Sequence, residues 1–519
     1  MSLDDQAAKG FTTDQEEQPT ATDSQHDVTA EGLTPDTLTA EPLAATVVAP
    51  PTNDAVLIAH EPDLSVLDVR PGPGRPREYR FPRFERFTLR NGLTVVLANL
   101  PGRALLAAQV LLSDGAWSEP AELGGVTVLA GRAMPEGTRR RNANEFIDAT
   151  ERLGAEVHAS GTWETLSASM EVPRSHFAPA LELLAEMLAE PAFPATDVAR
   201  LRDERLNDLM QALADPARRA ERVFPETIYD GGTPYSRPLG GVRETVEKID
   251  RDAVAARHAQ LLDPSTATLI VAGDLAGVDL ERVAEGALGG IASSSNRAAA
   301  APVEAKASAG RKVVLVDRPG SPQSELRIGH VGVARRNPDF HTLAVLNAIL
   351  GGTFNSRLNR VIREELGYTY GIHSSFDMRR YAGPFAIRTA VESAVTVPAV
   401  LEILRIVRDF RNDGVESDEL EAARDYLVGV FPLRFESAAQ VASALGGLIV
   451  FDLPDDELDR YRPQVAAVSA HDVMSAAARL IQPDGLSIVI VGDAAQVEAP
   501  LRDAGLGEVE LVPFDAAAA

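Results

Sequence analysis

The sequence predicts an α+β protein of two homologous domains, each a mainly antiparallel sheet covered by helices, because one strand-rich unit occurs twice along the chain. Residues 95–102 form a β-branched run that ends in Pro-Gly, and residues 313–320 repeat that pattern. Residues 268–274 have the composition of a buried strand followed by Gly-Asp, and residues 487–493 repeat them. Both matches are separated by about 220 residues, which indicates an internal duplication.

The length of the chain also favours two domains. Its 519 residues exceed the roughly 250 to 300 residues at which a single hydrophobic core stops growing. We predict one domain at residues 76–291, a Ser- and Ala-rich linker at 292–310, and a second domain at 311–519. Residues 1–75 hold fourteen acidic and three basic side chains without sustained periodicity, which predicts a disordered acidic leader.

Composition excludes several classes of function. The formal net charge of −26, with no basic stripe, argues against binding to nucleic acid. No apolar run approaches the roughly 20 residues that a membrane-spanning helix needs, so no membrane partner is expected. The absence of cysteine excludes thiolate catalysis and cysteine zinc sites. Acidic residues near the start replace the basic region of a secretory signal, so we predict a cytoplasmic protein.

Three helices are predicted in the first copy. Asn144 is predicted to cap a helix that Gly154 ends in a left-handed conformation. Ser175 is predicted to open a second helix that ends before Pro191, and a third runs from about residue 197 to 214.

One helix of the second copy bears on function. Ser356 is predicted to cap it and Gly367 to end it, before a predicted strand at residues 368–371.

Other catalytic motifs are missing. The sequence contains no Gly-Lys-Ser/Thr phosphate loop and no Gly-x-Ser-x-Gly elbow. The glycine pairs at residues 124–125, 240–241 and 351–352 are interpreted as turns or close helix packing. His158 is interpreted as a half-buried strand residue, because no two histidines share metal-ligand spacing on a helix.

Several strings along the folded region resemble the insulinase/pitrilysin metallopeptidases. The string TLRNGLTV at residues 88–95 resembles the opening strand-turn-strand of that family. Residues 115–138 resemble the flanks of its zinc-binding helix, and residues 144–162 resemble the following helix and active-site edge strand. The resemblance covers about residues 87–512 and implies a fold of the insulinase and mitochondrial-processing-peptidase type.

The zinc motif of that family is degenerate in this chain. The family holds zinc with H-x-x-E-H on one helix and a distant glutamate, the motif glutamate acting as general base. The resemblance places the motif positions at Val128, Gly131 and Arg132, and the distant carboxylate at Asp208. Arg132 puts a fixed positive charge where a dication would lie. The resemblance therefore implies no metal and no catalytic residue in this chain.

A second segment resembles the substrate-binding part of the family. The string IREELGYTY at residues 362–370 implies substrate-binding roles for Arg363 and Tyr370. A guanidinium and a phenol can donate hydrogen bonds to a peptide carbonyl and to the oxyanion formed during hydrolysis. The resemblance thus implies a heterodimer in which a homologous partner binds the zinc and both chains act on a peptide.

Three functional hypotheses remain open at this point. The chain is a non-catalytic subunit of a zinc-dependent peptidase, a scaffold or peptide-binding protein with the peptidase fold, or a stand-alone zinc metalloendopeptidase. The residues at positions 128, 131 and 132 argue against the third hypothesis.

Overall fold

The computed structural model of the chain describes residues 74, 77–292 and 304–513. The predicted leader at residues 1–75 therefore lies outside the described residues except for Gly74, and so do residues 293–303 of the predicted linker. We refer to residues 77–292 as the first half and to residues 304–513 as the second half.

Each half contributes six strands. In the first half they are β1 (Glu85–Thr88), β2 (Thr94–Asn99), β3 (Leu105–Ser113), β4 (Glu156–Gly161), β5 (Thr165–Pro173) and β6 (Thr268–Gly273). In the second half they are β7 (Val313–Asp317), β8 (Gln323–Val331), β9 (Ile372–Phe376), β10 (Pro384–Glu392), β11 (Ser487–Gly492) and β12 (Val509–Val512).

The strand orders of the two sheets confirm the predicted duplication. The first sheet has the order β1-β2-β6-β3-β5-β4 and the second has the order β12-β7-β11-β8-β10-β9. Five strands therefore correspond, and in both sheets the pair nearest the sixth strand, β2 with β6 and β7 with β11, is parallel. The sixth strand differs, because β1 adds antiparallel to β2 whereas β12 adds parallel to β7.

The helices fill the intervals between the strands. Those of the first half are α1 (Val126–Ala133), α2 (Ala143–Glu151), α3 (Phe177–Ala189), α4 (Ala195–Ala214), α5 (Pro216–Ile228), α6 (Arg243–Val246), α7 (Arg251–Leu261) and α8 (Leu280–Leu288). Those of the second half are α9 (Phe340–Asn347), α10 (Thr396–Asp413), α11 (Ser417–Val430), α12 (Ala438–Val450), α13 (Glu457–Ala467), α14 (Ala470–Leu480) and α15 (Ala494–Asp503). Two π-helical segments, Ala348–Gly352 and Asn359–Glu365, follow α9. Among the described residues, no helix has the length and apolar character needed to cross a membrane.

One helix of each half packs on the sheet of the other half. Helix α5 lies on β8 and β11, where Phe224 and Ile228 join the core that contains Val489. Helix α12 lies on β3 and β6, where Leu445 joins the core that contains Ile270. Both faces of each sheet are therefore covered, which explains why the central strands β6 and β11 are buried along their whole length.

The structure corrects the start of two predicted helices. Asn142, not Asn144, caps α2, because its side chain accepts a hydrogen bond from the Glu145 amide and the Glu145 carboxylate accepts one from the Asn142 amide. Helix α3 begins at Phe177, after a 3-10 turn that contains Ser175. The end of α2 is as predicted, because Gly154 is left-handed with φ of 61°.

Candidate functional site

The three residues that the sequence resemblance assigns to the zinc motif lie on α1. This short helix starts after Gly125, whose left-handed backbone packs against the Gly240 carbonyl, so the first two predicted glycine pairs are sites of close packing. Val128 is half-buried, Gly131 is buried and Arg132 is exposed. None of these residues supplies an oxygen, nitrogen or sulfur atom that binds a metal cation.

Gly131 lies directly on the backbone of the edge strand β4. A Cβ atom at this position would lie 2.6 Å from the Gly161 amide nitrogen and 2.7 Å from the Ser160 carbonyl carbon. Gly351 of the second half repeats the contact, because its Cβ would lie 2.8 Å from the Ser374 amide nitrogen of β9. A catalytic glutamate therefore has no room at Gly131 unless α1 and β4 move apart.

Arg132 forms an ion pair with α4. Its Nη2 atom lies 2.9 Å from Oε2 of Glu204, and the other oxygen of Glu204 lies 2.7 Å from Nη1 of Arg200. Sequence reasoning missed Glu204, although it precedes Asp208 by one helical turn and shares its face of α4. Arg132, which the resemblance assigns to a zinc-ligand position, is thus paired with a carboxylate, and a guanidinium in an ion pair does not fit a metal ion.

Asp208 belongs to a different cluster. Its Oδ1 atom lies 2.6 Å from Nη2 of Arg218, and its Oδ2 atom accepts a hydrogen bond from Arg205. Burial raises the pKa of the Asp208 carboxyl, but the two arginines outweigh burial and hold that pKa below its usual value. Asp208 is therefore an ionised residue that links α4 to α5, and it is Glu204 that contacts the motif helix.

His158 is exposed on β4, so the prediction of a half-buried residue is wrong. Its Nε2 atom lies 3.1 Å from Oε1 of Glu156, two residues away on the same strand. Within the described parts of the chain, no group of three or more His, Asp or Glu side chains is arranged to hold a metal ion.

The segment with Arg363 and Tyr370 differs from its predicted local structure. Arg363 lies in the π-helical segment Asn359–Glu365, and Gly367, with φ of 65°, ends the helix as predicted. Ser356 does not act as a side-chain cap. Its hydroxyl accepts a hydrogen bond from the side-chain amide of Asn359 and not from a backbone amide of the first turn. The predicted strand at residues 368–371 is a loop, and the strand β9 begins at Ile372.

Both side chains present free hydrogen-bond donors. The Arg363 guanidinium lies over the ring of Phe354 at 4.3 Å, a contact that uses the face of the guanidinium and leaves its N–H edges open. Neither side chain has an ion pair or hydrogen bond to another described residue. Tyr370 is 95% exposed and Phe354, which stacks with Arg363, is 62% exposed, so both rings are accessible to a ligand or partner.

Two regions of the chain match peptidase families. Residues 94–241 match the family described as Insulinase (Peptidase family M16), and residues 248–427 match the Peptidase M16 inactive domain. The first region contains α1, and the second contains Arg363 and Tyr370.

Relatives and solved structures extend the similarity over most of the chain. The uncharacterized zinc protease YmxG of Bacillus subtilis is 23% identical over 77% of this chain and 96% of its own length. A Helicobacter pylori relative described as the non-peptidase homolog YmxG is 23% identical over 66% of this chain and 78% of its own length. A peptidase M16 inactive domain from Pseudomonas fluorescens has a TM-score of 0.73, with 23% identity, and covers 79% of this chain and 98% of its own. A protease from Helicobacter pylori has a TM-score of 0.74 at 18% identity and covers 80% of this chain and 100% of its own, so both structures share this fold.

Proposed function

Because the chain belongs to the insulinase (M16) family of peptidases and no side chain fits at Gly131, we propose that it is the non-catalytic subunit of a heteromeric zinc-dependent peptidase. In this proposal a homologous partner binds the zinc, and this chain contributes Arg363 and Tyr370 to the hydrolysis of a peptide bond. The proposal keeps the cytoplasmic location predicted from the sequence.

The observation that carries the proposal is the pair of free donors at Arg363 and Tyr370. A residue that serves packing is normally covered, whereas Tyr370 is 95% exposed and the Arg363 N–H groups have no acceptor among the described residues. Hydrogen-bond donors that are free at a surface suit a peptide carbonyl that develops negative charge. Across a subunit boundary, they complete a site whose metal lies in the other chain.

The contacts of the motif helix support the absence of activity in this chain alone. Gly131 has no side chain that could act as a general base, and Arg132 is paired with Glu204. A stand-alone zinc peptidase would need both a base and nitrogen ligands at these positions. The alternative that remains is a scaffold or peptide-binding protein, for which Arg363 and Tyr370 have no catalytic role.

Reconstitution with a homologous chain that has an intact H-x-x-E-H helix distinguishes the two functions. We expect the complex to cleave peptides, and Arg363→Ala or Tyr370→Phe to lower the turnover about a hundred- to a thousandfold, as removal of one oxyanion donor does elsewhere. The matched controls are Arg360→Ala, on the same helix, and Tyr426→Phe, an exposed tyrosine on α11. Turnover that is unchanged in both test variants, with assembly intact, leaves only the scaffold function.

A further inference from the structure

Helices α5 and α12 occupy corresponding places on the two sheets. Each has 13 residues and packs across the sheet of the opposite half. Counting from the first residue of each helix, Glu221 of α5 corresponds to Ser443 of α12, and Phe224 corresponds to Gly446. The residues beneath the two helices can therefore be compared position by position.

Two arginines fill the space beneath α5 in the second half. Arg327 on β8 and Arg388 on β10 are directly opposite each other, and His373 on β9 is opposite Arg388. Glu221 bridges the two guanidiniums, with its Oε2 atom 3.1 Å from Nε of Arg327 and its Oε1 atom 3.0 Å from Nη2 of Arg388. The second sheet and the helix α5, which the first half contributes, thus hold the two guanidinium groups against a carboxylate.

The corresponding space beneath α12 is a cavity of about 300 Å³. Register places Gln109 on β3 where the second half has Arg327, Ser169 on β5 where it has Arg388, and His158 on β4 where it has His373. Serine replaces the bridging glutamate at residue 443. The space is open because Gln109, Ser169 and Ser443 are shorter than the two arginines and the glutamate found at the corresponding positions beneath α5.

Two carboxylates line this cavity, although the counterpart of Glu221 is a serine. Glu156 on β4 and Glu171 on β5 lie directly opposite each other, a placement that is destabilising for like charges without a counterion. Glu171 is half-buried and has no ion pair or hydrogen bond among the described residues, while the polar partner of the Glu156 carboxylate among them is His158. The cavity therefore contains carboxylates that can accept hydrogen bonds from a guanidinium, but no arginine side chain corresponds to Arg388.

We propose that this cavity binds the side chain of an arginine from a peptide, which takes the place that Arg388 occupies in the second half. The carboxylates of Glu156 and Glu171 pair with the guanidinium, and Gln109, Ser169 and Ser443 offer additional oxygen acceptors. The cavity borders β4, the outermost strand of its sheet, where Glu156 and His158 are exposed to solvent. Free arginine fits less well, because its own carboxylate approaches two carboxylates.

Calorimetric titration of the full chain alone tests this site independently of any zinc-bearing partner. The probes are acetyl-Ala-Arg-Ala-amide, the same peptide with neutral citrulline in place of arginine, and free L-arginine. We expect the arginine peptide to bind at least tenfold more tightly than either of the other probes. Glu171→Gln should weaken its binding about tenfold or more, because a charge-assisted contact is lost. Glu151→Gln, an exposed change on α2, should leave the affinity unchanged.

A double variant introduces into the cavity the side chains that are found at the corresponding positions beneath α5. Ser169→Arg combined with Ser443→Glu copies Arg388 and its partner Glu221 into the cavity, so we expect the cavity to fill and peptide binding to disappear while the thermal transition is retained. The proposal is overturned if the arginine peptide does not bind, if the citrulline peptide binds equally well, or if Glu171→Gln has no effect. The outcome says nothing about Arg363 and Tyr370, so this inference and the proposed function can fail separately.

Discussion

At the scale of the residue, a missing side chain decides the chemistry of the motif helix. Gly131 allows α1 to rest on the backbone of β4, and the same contact occurs at Gly351 in the second half. The close approach is thus a property of the duplicated unit, and it leaves no volume for a general base. Arg132 and Glu204 then satisfy each other at the surface.

Replacement of Gly131 by alanine should destabilise the protein. The new Cβ would meet backbone atoms of Ser160 and Gly161, which cannot rotate away, so we expect a loss of about 1 to 3 kcal/mol in the free energy of unfolding. The measurement is urea denaturation. Gly286→Ala on α8 is the control, because no atom lies within 4 Å of its Cβ position and alanine should be neutral or stabilising there. Equal stability of Gly131→Ala and the wild type would contradict the close contact.

His258 should make the stability depend on pH. Burial lowers its pKa to about 4, against the opposing effect of its hydrogen bond to the Leu188 carbonyl. In the unfolded chain the pKa of a histidine is about 6.5. The buried, neutral imidazole of His258 therefore contributes fully to the free energy of unfolding above that pH. This contribution, roughly 3 kcal/mol, is lost as the pH falls towards 4. We expect His258→Gln to flatten the pH dependence of the free energy of unfolding between pH 6.5 and 4. The control His471→Gln, at an exposed position, should leave this pH dependence as it is in the wild type. A pH dependence that His258→Gln does not change would refute the role of His258.

At the scale of the element, local sequence predicts much of the structure and long-range contacts determine the rest. The signal for the α2 cap was present, because Asn142 has a glutamate three residues later and Asn144 has Ile147. The start of β9 was not predictable locally. The pairing of β9 with β10 ends at Ile372 and Thr389, and the Thr389 hydroxyl donates a hydrogen bond to the Gly371 carbonyl instead. Helical spacing could have identified Glu204, but the contact of Gly131 with β4 depends on tertiary packing.

The two candidate caps of α2 make a matched pair of variants. Asn142→Ala removes a side-chain acceptor from the first turn, so we expect a loss of about 1 kcal/mol in the free energy of unfolding. Asn144→Ala replaces a residue inside the helix with a better helix former, so it should be neutral or slightly stabilising. Denaturation curves of both variants decide which asparagine is the cap. A larger loss of stability in Asn144→Ala than in Asn142→Ala would identify Asn144 as the cap.

At the scale of the whole molecule, the exchange of α5 and α12 joins the two halves. Each sheet needs a helix from the other half to cover its second face, and polar contacts reinforce the arrangement. Glu164 of the first half accepts hydrogen bonds from Tyr235, at 2.8 Å, and from the backbone amide of Arg380 in the second half, at 3.1 Å. Neither half has a complete core without the other.

This arrangement predicts that the two halves unfold together. Phe224 belongs to the first half in sequence but is buried against the second sheet, at 1% exposure. Phe224→Ala should cost about 3 to 5 kcal/mol, and calorimetry should still show one transition, shifted to lower temperature. Ile147→Ala, at an exposed position on α2, is the control and should change the transition little. Two separate transitions in the wild type or the variant would contradict the shared core.

A non-catalytic subunit does not hydrolyse peptides on its own. Native mass spectrometry of the purified chain, incubated with zinc and dialysed, measures the metal directly, and a peptide-cleavage assay runs on the same sample. Because Gly131 has no side chain and Arg132 is paired with Glu204, we predict no stoichiometric zinc and no cleavage. About one zinc per chain, removed by a chelator together with peptidase activity, would show instead that this chain is itself a zinc peptidase.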